Sequence, residues 1–90
     1  MSYKSNPNCI VCAYGDGIAV LNQHTSDYFS LDPVGAAIWE VFERATGGAT
    51  LDDAVKAVTE KFDVTPQVCR PDVASFLGTL EAANLIEQTP

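Results

Sequence analysis

Positive charge is scarce in this chain. Its 90 residues carry five Lys and Arg against 12 Asp and Glu, a net charge of −7. The five cations, Lys4, Arg44, Lys56, Lys61 and Arg70, are scattered. The clustered basic footprint that neutralises phosphates is therefore missing, which argues against a nucleic-acid partner and for basic or neutral peptides. No apolar run approaches the roughly 20 residues that span a bilayer. The N-terminal MSYKSNPN also lacks the charged-then-apolar layout of a signal peptide. A soluble cytoplasmic protein with no membrane association is expected.

Histidine and cysteine are also few. Cys9, Cys12 and Cys69 make an odd count that does not build a disulfide framework. Cys9 and Cys12 form a lone CxxC in a strand-like segment, where residues three apart point to opposite faces. Ordinary buried or half-buried thiols are the expectation, with no metal site and no cofactor. The single histidine, His24, sits in the polar turn QHTS, where a solvated residue is expected. Catalytic motifs are absent: there is no nucleophile elbow, phosphate loop or metal cluster. Asp52 and Asp53 fall in the first turn of a helix, where they complement its dipole rather than form an acid/base pair. A small hydrolase pairing a Cys with His24 has no supporting motif.

Apolar residues, in contrast, make up 47% of the chain, enough for a core. A single domain over residues 1–90 is expected, with residues 1–8 as a flexible N-terminus. Three short strands come first. CIVCAY (Cys9 to Tyr14) is followed by the turn Gly15-Asp16-Gly17, then GIAVLN (Gly17 to Asn22), the QHTS turn, and DYFSL (Asp27 to Leu31). Consecutive tight turns make an antiparallel meander.

The second half is helical. Asp32 caps a helix opened by Pro33 and running to about Arg44, where Gly47-Gly48 stops it. Thr50 caps the next helix, with Asp53 in capping-box position, and Leu51, Ala54, Val55, Val58 and Phe62 form its buried face. Thr65-Pro66 repeats the cap-then-proline signature. Beyond it, Cys69, Val73, Phe76, Leu77 and Leu80 make a third apolar stripe. Pro71 interrupts that stripe, so the third helix is either kinked there or starts at Pro71 after a single turn from Pro66, the second being preferred. Leu85-Ile86 adds a last extended residue or two.

The result is an α+β, winged-helix-like order: a three-stranded antiparallel sheet followed by three helices. In the last strand Phe29 and Leu31 alternate with Tyr28 and Ser30, so one pair faces the helices and the other faces out. That strand's outer edge has no evident partner, and such an edge beside an apolar helix bundle suits peptide docking. A winged-helix module on nucleic acid is the alternative from another class. Its recognition helix would be Gln67 to Leu80, whose one cation is Arg70.

The run GIAVLN, then YFSLDPVGAAIW, TLDDAV, KFDV, DVASFLGTL and NLI resembles the PqqD-like family of small domains, also called RiPP recognition elements. The resemblance extends from Gly17 to about Glu87, and L-D-x-V-G-A-A-I-W (Leu31 to Trp39) is its most specific piece. The matching positions are core and capping residues, not catalytic ones. The resemblance implies a domain without enzymatic activity that binds the leader segment of a ribosomally made precursor peptide. In such domains the leader adds to the third strand and lies against the third helix. On this chain the implied edge is Tyr28, Phe29, Ser30 and Leu31, and the facing wall is Cys69, Asp72, Val73 and Phe76. A free-standing domain of this length resembles most the leader-binding protein of lasso-peptide biosynthesis, whose partners are a leader peptidase and a macrocyclase. A PqqD-type chaperone serving a radical-SAM enzyme is the other branch. An open sheet edge also permits edge-to-edge pairing into a homodimer when no leader is bound.

Overall fold

The computed structural model describes residues 2–89. Eight elements follow one another: β1 (Tyr3–Ser5), β2 (Cys9–Tyr14), β3 (Gly17–Asn22), β4 (Tyr28–Leu31), α1 (Pro33–Arg44), α2 (Leu51–Lys61), α3 (Pro66–Ala82) and β5 (Ile86–Gln88). Strands β2, β3 and β4 form the expected antiparallel meander in that order. Its register sets Val11 opposite Val20 and Val20 opposite Phe29.

Local chemistry places the helix starts. The Asp32 carboxylate accepts from the Gly35 amide at 2.8 Å, with Pro33 in the first helical position. Such a cap satisfies one of the four amides that a helix start leaves without a partner. Thr50 and Asp53 exchange reciprocal bonds of 3.2 and 2.9 Å, the capping box that opens α2. The apolar faces so aligned bury Ile38, Trp39 and Phe42 of α1 and Val55 and Val58 of α2. From α3 come Val73, Leu77 and Leu80, all packed with Val20 and Leu31 in one core.

Three expectations need correction. Residues 3–5 are not a flexible tail: β1 pairs antiparallel with β5, Tyr3 opposite Gln88 and Ser5 opposite Ile86. The Tyr3 ring stands edge-on to Phe42 with centroids 6.1 Å apart. Tyr3 also bonds reciprocally with Ala49 at 2.7 Å. The cause is non-local, since Phe42 and Ile86 gain apolar cover only when both ends of the chain meet.

Second, α3 does not begin at Pro71 but runs unbroken from Pro66 through it. Pro71 is the sixth residue of the helix and exposed, as is Gln67, whose carbonyl loses its intrahelical donor. Water replaces the single lost bond on that face. Third, Cys12 is exposed, whereas Cys9 is half-buried and Cys69 buried. Cys12 lies on the outward face of an edge strand that no helix covers. Among the described residues no helix is long and apolar enough to cross a membrane.

Candidate functional site

The free edge of β4 can be read group by group. In antiparallel pairs, residues alternate between directing their N–H and C=O groups at the neighbouring strand and away from it. The Asn22 amide donates to the Asp27 carbonyl at 2.8 Å. Asp27, Phe29 and Leu31 therefore point their backbone groups at β3. Tyr28 and Ser30 point theirs outward, an edge of two donors and two acceptors. Gly17 guards the last of the inward groups. A β-carbon there would fall 1.8 Å from the Leu31 carbonyl oxygen, so only glycine lets β3 lie this close to the end of β4.

Side chains alternate as the strand requires. Tyr28 is 70% exposed and Leu31 only 5%, with Ser30 exposed and Phe29 half-buried toward the helices. Where β4 ends, a cleft of about 300 Å³ opens between the first turn of α1, the end of α2 and the first half of α3. Val73, Cys69 and Phe76 of α3 line one wall, Val34, Gly35 and Ile38 of α1 another. Val58, Phe62 and Val64 close the far end. Gly35 is what brings the walls together: a β-carbon on it would meet Phe76 Cζ at 3.1 Å and Leu31 Cβ at 3.2 Å. Phe76 thus lies over the start of α1, joining the strand edge to the cleft.

The rim is acidic. Asp32 and Asp72 both border the cleft, and Asp27 stands at the opposite end of β4. The nearest α3 cation, Arg70, is turned aside to Asp52. Arg44 is held by Glu40 at 2.7 Å and Lys4 by Glu87 at 3.8 Å. No ion pair among the described residues neutralises Asp72 or Asp32, so the field at the cleft mouth is negative.

One buried polar residue fixes the geometry. Asn22, fully buried, donates from Nδ2 to the Asn84 carbonyl at 2.7 Å. Its Oδ1 accepts from the amides of His24 and Thr25 at 2.9 and 3.1 Å. The turn feeding β4 is thereby keyed to the C-terminal end of α3. Asn84 adds a bond to the Asp27 carboxylate at 3.2 Å. Hydrogen bonds from Thr25 and Asn84 hold the Asp27 carboxyl below its ordinary value.

The residues singled out from sequence therefore lie in two adjoining groups. Cys69, Asp72, Val73 and Phe76 line the cleft, while Tyr28, Phe29, Ser30 and Leu31 make the edge beside it. Cys69 is a floor residue, its thiol turned to the Pro66 carbonyl at 3.9 Å. His24 stays exposed in its turn, and among the described residues no group of three or more metal-ligating side chains assembles. Sequence reasoning missed the α1 and α2 walls: Val34, Gly35, Phe62 and Val64. The available signal was apolar side chains left outward beside breakers, Val34 after Pro33 and Val64 before Thr65-Pro66, exposed by 37% and 38%.

Comparisons with known proteins converge on one family. The family model described as coenzyme PQQ synthesis protein D (PqqD) matches residues 17–86. Among solved structures, one described as TbiB1 in complex with the TbiA(beta) leader peptide superposes with a TM-score of 0.81. It is 25% identical, over 97% of this chain and 98% of that one. A lasso peptide synthetase B1 complexed with its leader peptide gives 0.77 at 16% identity, over 98% and 100%, a likeness of fold alone. No curated protein sequence matches.

Proposed function

Because the chain belongs to the PqqD family, we propose that it is a non-catalytic module binding the leader segment of a ribosomally synthesised precursor peptide. The leader adds as a strand to β4, and the domain hands the precursor to a leader peptidase and a macrocyclase in lasso-peptide biosynthesis. The observation that carries this reading is the open edge at Tyr28 and Ser30 running directly into an apolar cleft. Main-chain bonds to those residues supply affinity that any peptide sequence can meet, and the cleft supplies selectivity. Phe76 and Val73 accept an apolar side chain, an aromatic or a proline, where the leader passes the end of β4. Asp72 and Asp32 favour a Lys or Arg beside it and speed the encounter. The solved TbiB1 complex, at 25% identity and nearly full coverage, supports the leader as the ligand class.

The family match also favours a second reading within the same class, a peptide chaperone for a radical-SAM enzyme. The two differ in the enzyme served, and pull-down against each enzyme type separates them.

The test is an amide-resolved titration with a synthetic leader peptide, taken from whichever short precursor reading frame genome sequencing finds near the gene. Protection from exchange should appear at the Tyr28 and Ser30 amides and not at Phe29, which already serves β3. Phe76→Ala should weaken binding by about tenfold to a hundredfold, the apolar contact of one aromatic side chain. Protection confined to another strand, or a Phe76→Ala variant that binds as tightly as the parent, rules the site out.

A further inference from the structure

Two ties set α3 antiparallel to β4 along the free edge of the sheet. At one end Phe76 and Leu31 both close on Gly35. At the other the Asn84 side chain donates to the Asp27 carboxylate at 3.2 Å. The two spans match, with about 12 Å of helical rise from Phe76 to Asn84 and about 13 Å of strand from Asp27 to Leu31. A strand added to β4 therefore lies beside α3 for the whole length of β4. The α3 stripe that continues from Asp72 and Phe76 at helical spacing is Thr79 and Ala83.

Charge sits only at the two ends of this groove. Tyr28 to Leu31 carry none, and Asp72 is the one charged residue of the α3 stripe. Asp27 shares the helix-facing side of the chain with Phe29 and Leu31, and its bond to Asn84 turns the carboxylate toward α3. Hydrogen bonds from Thr25 and Asn84 hold that carboxyl below its ordinary value, so it stays ionised at neutral pH. Among the described residues no cation pairs with Asp27, Asp32 or Asp72. Asp32 spends one oxygen on its cap bond to Gly35, which leaves Asp72 the freer partner at the cleft end.

From this arrangement we infer that the docked strand carries two Lys or Arg residues about five positions apart, one held by Asp27 and the other by Asp72. The inference rests on strand addition at β4 and adds Asp27 as a residue that selects the peptide. The spacing follows from the rise of the strand: Asp27 to Asp32 covers about 17 Å, and a paired strand covers the same length in about five residues. Between the two cations the stretch is neutral. Its side chains opposite Phe29 and Leu31 share the helix-facing side and are apolar, because Phe76 lies there. A single cation meets only one end of the groove, and two adjacent cations crowd the same end.

Synthetic peptides of about twelve residues on one neutral Val/Thr frame test the pattern, long enough to cover β4 with a margin at each end. One carries Lys at the two spaced positions, one carries the two Lys side by side, and one carries none. In calorimetric titrations at low salt the spaced pair should bind about tenfold tighter than the neutral frame, each exposed ion pair giving about two- to fivefold. It should also bind about threefold or more tighter than the adjacent pair, which has the same net charge. The advantage should vanish at about 0.5 M salt. Asp27→Asn and Asp72→Asn, checked for folding by circular dichroism, should each weaken the spaced-pair peptide by about two- to fivefold. Double-mutant cycles should couple each carboxylate to one Lys and not to the other. Equal affinity for the spaced and adjacent pairs overturns the inference, as does an Asp27→Asn variant that binds the spaced pair as tightly as the parent. In either case protection of the Tyr28 and Ser30 amides by the neutral frame leaves strand addition standing. Protection absent from β4 with every peptide overturns both.

Discussion

Replacing Asn22 by Ala tests whether one buried amide holds the peptide edge in place. The side chain is fully buried and makes three hydrogen bonds, two from the turn amides and one to the end of α3. Each intramolecular bond contributes about 1 kcal/mol net, and a buried group left unpaired costs about 1–3 kcal/mol. His24 and Thr25 lie in an exposed turn, so their amides find water again. The Asn84 carbonyl, aimed inward, does not. Together with the small void, the loss comes to about 2–4 kcal/mol. A domain this size loses about 4–8 °C of midpoint per kcal/mol, so Tm should fall by about 10–25 °C. Urea unfolding followed by far-UV circular dichroism measures this directly, with an unchanged m-value expected. Asn22→Asp should cost as much or more, since it turns a carboxylate toward the Asn84 carbonyl. The exposed neighbour Gln23→Ala should change stability by less than about 0.5 kcal/mol. An Asn22→Ala variant within that same margin would refute the argument. Leader affinity, measured well below the lowered Tm, should fall as well, because the turn that sets the start of β4 is loosened.

Further outcomes follow from other contacts. Gly17→Ala should destabilise by at least about 3 kcal/mol, since its β-carbon would overlap the Leu31 carbonyl; thermal unfolding of the variant checks it. The Asp27 carboxyl is held below its ordinary value of 3.8. Its contribution is therefore complete above that pH and is lost as pH falls through the lower folded value. Asp27→Asn should flatten the acid side of a stability-versus-pH curve by lowering stability at neutral pH while leaving the most acidic end little changed. Thiol titration of the folded protein should proceed in order. Exposed Cys12 reacts first; half-buried Cys9, whose thiol is pushed up by burial and by Glu87, follows. Cys69 reacts only on unfolding.

The parts of the fold legible in the sequence are those set by neighbours in the chain. Asp32-Pro33 and Thr50 with Asp53 announce their helices because a cap needs only three or four consecutive residues. The alternation through Tyr28 to Leu31 predicts which side chains face out for the same reason. What escaped was decided at long range. Tyr3–Ser5 is a strand only because Ile86–Gln88 returns beside it. Pro71 is tolerated because its face of α3 meets solvent, a fact of packing rather than of propensity. The cleft's second and third walls were hidden likewise. Nothing in the local pattern places Val34 and Val64 on one space until α1, α2 and α3 converge on it.

The pairing of Tyr3 with Gln88 also orders events in time. Closing a loop of nearly the whole chain costs about 4 kcal/mol of chain entropy before any contact rewards it. The hairpins and capped helices, closed over a few residues each, form well before that. The β1–β5 ladder is therefore the last piece to dock during folding and the first to open in the native state. Its amides should exchange with solvent sooner than those of β3, and while it is open Phe42 is briefly uncovered.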